Sequence, residues 1–186
     1  MIKLDNISFS YGDKTVIKDF SLEINKGDII CLSGESGCGK TTLLRLISGL
    51  ETPQKGEILC EKPLNASVVF QENRLLPFKS ALDNITLVGA DIDTAMMHLN
   101  ALGIGNTAKL KPQELSGGMQ RRVAIARALS ADFDYLILDE AFTGLDNDNV
   151  KTATEHILKT AGNRPIILVT HSKDEAELFG AKIINI

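Results

Sequence analysis

The chain has 186 residues, with 20 Lys+Arg against 24 Asp+Glu and a formal net charge of −4. That is about one domain, large enough to bury a core without disulfides or a structural metal, and the acidic balance argues against nucleic-acid binding through bulk charge. Apolar runs are far shorter than the roughly 20 residues of a spanning helix, residues 1–5 lack the apolar region of a secretory signal, and Cys31, Cys38 and Cys60 form no Cys-x-x-Cys pair, so a soluble protein of a reducing compartment without a cysteine metal site is expected.

Alternation of apolar and polar residues over 2–8 and 16–24 predicts two antiparallel strands with one wet face, joined by a turn at Tyr11-Gly12-Asp13-Lys14. The tetrapeptide Asn25-Lys26-Gly27-Asp28 matches the guanine-reading motif of GTPases, but it precedes the phosphate motif instead of following it. It reads as a turn between strands. Residues 28–33 form an apolar run short enough for a strand buried on both faces, and Leu43, Leu44, Ile47 and Leu50 follow helical spacing.

Between that strand and that helix stands Gly34-Glu35-Ser36-Gly37-Cys38-Gly39-Lys40-Thr41, which fits G-x-x-x-x-G-K-[ST] in the strand–loop–helix context the motif requires. The glycines let backbone N–H groups turn inward around phosphate oxygens, and the helix N-terminus adds partial positive charge. Lys40 is expected at the β- and γ-phosphates and the Thr41 hydroxyl on Mg²⁺. Thr42 is the next residue of this nucleotide-binding set.

Two further strand-like pieces lie within residues 58–70, broken near Pro63, and from residue 72 to 130 the pattern turns helical, interrupted by Pro77 and Pro112. This stretch reads as a helical insert, 72–130, in an α/β core made of 1–71 and 131–186. Within it, Leu115-Ser116-Gly117-Gly118-Met119-Gln120 opens a helix: Ser116 is a good N-cap, and Gly117 and Gly118 expose backbone N–H groups, giving a second anion-ready helix start. Met119, Val123 and Ala126 are expected on one face of that helix, with Arg121 and Arg122 on the wet side. Strand patterns resume at 135–138, 166–169 and 183–186, with helices between, which implies a mainly parallel sheet.

The strand at 135–138 runs into Asp139-Glu140. Open α/β sheets hold ligands at the carboxyl ends of their strands, and neighbouring strand residues point opposite ways. Asp139 is therefore the expected Mg²⁺ partner, and Glu140 the general base for the attacking water.

With these motifs in this order the chain resembles, over essentially its whole length, the ATP-binding subunits of ABC transporters. The resemblance implies a nucleotide-binding P-loop core, an N-terminal antiparallel subdomain and a helical signature subdomain. It implies that Ser116, Gly117 and Gly118 of one subunit contact the ATP held by Lys40 of another, so that two ATPs are sandwiched in a head-to-tail dimer of identical or paired subunits. By the same resemblance Tyr11 stacks on adenine, Gln71 senses Mg²⁺ and the attacking water, Asp146 in Leu145-Asp146 meets the partner subunit, and His171 holds the γ-phosphate.

Ala141 stands where the family often has proline, and Thr143-Gly144 where small residues such as Ser-Ala are common. No C-terminal regulatory domain is expected. The segment from Gln71 to Phe78 and the Ala141-Phe142 loop resemble nitrate-, sulfonate- and taurine-type importers. The implied function is ATP hydrolysis powering solute import through separate membrane-spanning permease subunits, from a cytoplasmic position on the inner face of the membrane. The alternatives are an exporter subunit or a soluble cassette of cofactor assembly. DNA-repair cassettes carry long coiled-coil arms between the two motifs, whereas here only 76 residues separate Lys40 from Ser116. No nucleic-acid partner is expected. Leu75, Leu76 and Phe78 are either a permease-docking patch or local core.

Overall fold

The computed structural model describes residues 1–35, 37–60 and 62–186; Ser36 lies outside them. β1 (Ile2–Tyr11), β2 (Lys14–Ile24) and β4 (Lys55–Cys60) form an antiparallel sheet in the order β2-β1-β4. β3 (Ile29–Ser33), β5 (Ala66–Val69), β6 (Tyr135–Asp139), β7 (Ile166–Val169) and β8 (Lys182–Asn185) form a parallel sheet in the order β5-β6-β7-β3-β8. This is the expected α/β architecture, a helix-flanked parallel sheet with an added antiparallel β layer.

The continuous apolar character of the central strands follows from burial on both faces. Ile30, Leu32, Ile137, Ile167 and Val169 point into one core, shared with α1 (Lys40–Ile47) and the antiparallel sheet. Cys31, Leu136, Leu138, Ile166 and Leu168 point into the other, where α4 (Gly117–Ser130), α5 (Asn147–Ala161) and α6 (Lys173–Leu178) pack. Successive strand residues facing opposite ways divide the two cores. The stretch after β5 holds α2 (Ala81–Thr86) and α3 (Ile92–Ala101), whose Ala81, Ile85, Ala95 and Leu99 join the core around α4. Among the described residues no helix is long and apolar enough to cross a membrane.

Two expectations need correction. Helix α1 ends at Ile47, and Leu50 is 59% exposed beyond it. Gly49 takes φ 73°, its N–H donates to Leu46 O and the Leu50 N–H donates back to Arg45 O, a left-handed cap that turns the chain before the helical spacing can continue. Arg121 is not on a wet face. It is buried at 5% exposure, and Arg122 is half-buried, donating to Gly118 O, Leu102 O and Asn149 Oδ1.

His98 on α3 is buried and its Nδ1 lies 2.8 Å from Nε2 of His156 on α5, tying the helical stretch to the parallel-sheet core. Burial first, and His156 second, push the His98 pKa down to about 4; burial, then Lys159, pulls His156 down as well. An unfolded histidine titrates near 6.5, so between that pH and about 4 the unfolded chain binds the extra proton. The stability of the neutral pair is therefore complete above pH ~6.5 and lost on acidification, by up to about 1.4 kcal/mol per pH unit for each such proton. Thermal melts from pH 7.5 to 5 should fall more steeply for the parent chain than for His98→Leu; equal slopes would remove the pair as the cause.

Candidate functional site

The phosphate motif connects the end of β3 to α1. Its conformation demands glycine at Gly39, where φ is +111° and a Cβ would lie 2.8 Å from Ile17 Cδ1, 2.9 Å from Val16 Cγ1 and 3.0 Å from Val16 O. Among the described residues no side chain caps α1 at Gly39, which leaves first-turn N–H groups at the loop. The Lys40 ammonium, 8% exposed, reaches back across the loop and donates to Gly34 O and Glu35 O at 2.8 Å each, with Cys38 Sγ 3.8 Å away. A Cβ at Gly37 would meet nothing within 4 Å.

These residues open onto a cleft of about 350 Å³ lined by Gly37, Gly39, Lys40, Thr41, Thr42, Gln71, Glu140 and His171, with Val16 and Val169 as apolar walls. A helix start without a side-chain cap, one ammonium and open space at Gly37 make the donor set of a polyphosphate site, so the residues fit a nucleotide. Asp139 opens instead onto an adjoining recess of about 150 Å³, together with Arg45. Thr41 and Gln71 line both spaces, so a hydroxyl-bearing and an amide-bearing residue border the spaces of both carboxylates. That oxygen-rich set suits Mg²⁺.

The two carboxylates diverge for a different reason from simple strand alternation. β6 ends at Asp139, and Glu140 takes φ 47° while its N–H donates to Val169 O at 2.9 Å. This left-handed step is costly for a side chain other than glycine, and such strain collects at functional sites. It swings Glu140 into the cleft, where Oε2 accepts from Gln71 Nε2 at 3.1 Å and Oε1 lies 3.4 Å from His171 Nε2. Glu140, Gln71 and His171 are thus gathered in the cleft that Lys40 also lines. Burial, then the Glu140 charge, raises the Asp139 carboxyl above its usual range, and Arg45, Lys40 and Arg121 oppose the rise.

Other sequence-selected residues lie apart from that cleft. Tyr11 is 45% exposed at the end of β1, edge-on to Phe9, with its hydroxyl 3.5 Å from Arg45 Nη1. Ser116 caps α4, accepting from Met119 N at 3.2 Å, and a Cβ at Gly118 would lie 3.3 Å from Gly144 O. Asp146 caps α5, accepting from Asn149 N at 2.9 Å. Ser116, Gly118 and Asp146 are thus not among the residues that line the Lys40 cleft.

Three residues escaped the sequence reading. Val16 walls the cleft. Glu175, raised above the usual carboxylate range mainly by burial, accepts from the Thr170 hydroxyl next to His171. Arg121 donates to Phe70 O at 2.7 Å and to Gln71 O; burial lowers its pKa while Glu140 and Asp139 hold it up. A signal for Arg121 was present: Ala124, Ile125 and Ala128, at i+3, i+4 and i+7, place it on an apolar face of α4.

A family model described as "ABC transporter" matches residues 17–143. The chain is 39% identical to the aliphatic sulfonates import ATP-binding protein of Paracoccus denitrificans, over 98% of this chain and 78% of the relative. It is 38% identical to the nitrate import ATP-binding protein of Synechococcus elongatus, over 93% and 70%, and 33% identical to the bicarbonate transport ATP-binding protein of a Synechocystis species, over 98% and 73%. A dimeric post-hydrolysis state of an ATP-binding cassette bound to ADP and Pi superposes with a TM-score of 0.88 at 27% identity, covering 100% of this chain and 94% of the other.

Proposed function

This chain belongs to the ABC transporter family as an ATP-hydrolysing cassette, and from that premise we propose that it powers import of a solute through separate membrane-spanning subunits; its sulfonate and nitrate relatives are named as import ATP-binding proteins and its bicarbonate relative as a transport ATP-binding protein. The observation that carries the catalytic reading is the convergence of Gln71, Glu140 and His171 on the cleft that Lys40 also lines.

In this reading Lys40 and the first-turn N–H groups of α1 neutralise and orient the phosphates. Glu140 takes the proton of the attacking water, Gln71 and His171 hold the carboxylate in place, and His171 faces the γ-phosphate. Thr41, Gln71 and Asp139 would hold Mg²⁺. When bound, the ion supplies charge neutralisation at the β- and γ-phosphate oxygens. Ser36 belongs to the same loop by its place in the motif, and Tyr11 would stack on adenine. Ser116, Gly117, Gly118 and Asp146 would complete the site of a second copy in a head-to-tail dimer. Their separation from the Lys40 cleft supports this, because a lone chain leaves that second anion-ready helix start without a ligand. Residues 72–130 act as the helical signature subdomain of the cassette.

Coupling to the permease is assigned to an apolar groove of about 540 Å³ lined by Leu50, Val68, Phe70, Leu76, Leu87 and Val88. Phe78 stands beside its Leu76 wall in the chain and is 87% exposed. The groove reaches Phe70, one residue from Gln71, so a seated partner helix would press directly on the catalytic segment.

Affinity purification of the tagged full chain from membranes tests this reading. Polytopic membrane subunits should co-purify in fixed stoichiometry and stimulate ATP turnover, and Phe78→Ser should release them without weakening ATP binding. A purely soluble complex would overturn the transport assignment.

A further inference from the structure

Burying a guanidinium is costly unless its donors are used and its charge is balanced, so a buried arginine next to a reactive cluster demands a reason. Arg121 sits in the early turns of α4 and forks onto two successive carbonyls, Nη1 to Phe70 O at 2.7 Å and Nη2 to Gln71 O. Its charge faces Glu140 and Asp139. Its Nε is buried with no hydrogen-bond partner among the described residues. Arg127, farther along α4, repeats the grip on the next stretch, donating to Arg74 O at 2.8 Å and Asn73 O at 3.0 Å.

The segment gripped in this way has left β5 and belongs to no helix or strand. Without the arginines its carbonyls would have no regular partners at the edge of the core. Its one side chain on the catalytic carboxylate is Gln71, which donates to Glu140 Oε2 at 3.1 Å. A two-toothed donor fixes both the height and the rotation of a peptide plane, whereas an ammonium fixes only a distance.

We propose that Arg121 is a positioning residue of the ATPase reaction, clamping the Phe70–Gln71 backbone to α4 so that the Gln71 amide stays on Glu140. The proposal rests on the roles given above to Gln71 and Glu140. Arg121 touches no reacting atom; it acts through Gln71. Because the same helix begins just after its cap Ser116, the clamp also makes the start of α4 and Gln71 one mechanical piece.

The full chain carrying Arg121→Met, Arg121→Lys or Gln71→Ala, alone and combined, provides the test. Arg121→Met should lower kcat by at least about tenfold while KM stays within about threefold, since a misplaced group is felt in the transition state. Amide exchange of residues 70–75, measured without nucleotide, should accelerate about fivefold or more with β6 unchanged. Adding Arg121→Met to Gln71→Ala should cost less than about twofold further, because both act through one contact. Arg121→Lys should fall between; should Arg121→Met lose its cooperative melt, Arg121→Lys takes its place in the cycle.

Parent-like kcat, unchanged exchange over 70–75, or losses that multiply in the double variant would each overturn the clamp. Glu140→Gln keeps the two readings apart. An active Glu140→Gln removes the catalytic roles assigned to the cluster, whereas an inactive one with multiplying Arg121 and Gln71 losses removes only the clamp.

Discussion

Glu140→Gln should bind ATP within about threefold of the parent and turn it over at least about a hundredfold more slowly, the range a general base supplies. A hundredfold is about 2.7 kcal/mol of barrier. The substitution is nearly isosteric and keeps an amide oxygen able to accept from Gln71 Nε2, now 3.1 Å from Oε2. It removes the carboxylate that faces His171 Nε2 at 3.4 Å and with it the proton acceptor. Binding survives because the phosphate-facing groups, Lys40 and the α1 start, are untouched. The charge change favours binding as well. Glu140 is the second cause, after burial, that raises the Asp139 carboxyl, and removing it leaves Asp139 more readily ionised for a cation. If two ATPs are held between the copies of the proposed head-to-tail dimer and Glu140→Gln cannot hydrolyse them, an ATP-bound dimer should accumulate, visible as doubled mass in light scattering with ATP and as monomer with ADP. Turnover at the parent rate would end the general-base role, and loss of ATP binding would show that Glu140 shapes the cleft.

How far the sequence foretold this arrangement depends on the range of each interaction. The phosphate loop was legible because its chemistry is local: eight successive residues carry the glycines, the lysine and the threonine, and the flanking strand and helix declare themselves by period. The central strands β3, β6 and β7 were legible because burial on both faces leaves unbroken apolar runs, and the antiparallel pair because one wet face leaves alternation. Arg121 was misread because its partners are backbone carbonyls 51 and 50 residues earlier. A carbonyl has no residue identity, so no spacing rule announces it. The divergence of Asp139 and Glu140 was anticipated for an insufficient reason. Glu140 is turned by its own left-handed backbone at φ 47°, held by the bond to Val169 O, a contact that exists only once β6 and β7 are paired. The α1 end was overrun because helical spacing at Leu50 is indistinguishable from an apolar residue just past a glycine cap. The separation of Lys40 from Ser116 was implied by family resemblance alone. Nothing in the spacing of the two motifs tells whether they meet within a chain or across two.

Gly39→Ala should abolish measurable nucleotide binding and cost about 3 kcal/mol of stability, through backbone strain and overpacking together. At φ +111° the position lies where side chains are scarcely tolerated, and the new Cβ would be driven to 2.8–3.0 Å from Ile17 Cδ1, Val16 Cγ1 and Val16 O. The Ile17 side chain is almost wholly buried and the Val16 carbonyl is backbone of β2, so neither can retreat cheaply. The loop must give way instead. Gly39 immediately precedes Lys40, so displacing it shifts both the ammonium and the first N–H groups of α1, the two devices to which phosphate binding is assigned above. Gly12→Ala separates this from the general cost of a side chain at positive φ. Gly12 has φ +57° with nothing within 4 Å of a built Cβ, and its replacement should cost only roughly 1 kcal/mol with ATP binding retained. Chemical denaturation and isothermal titration of the two variants decide the matter. A Gly39→Ala chain that binds ATP like Gly12→Ala would mean that the phosphate loop is set by ligand contacts and not by the tight approach of β2.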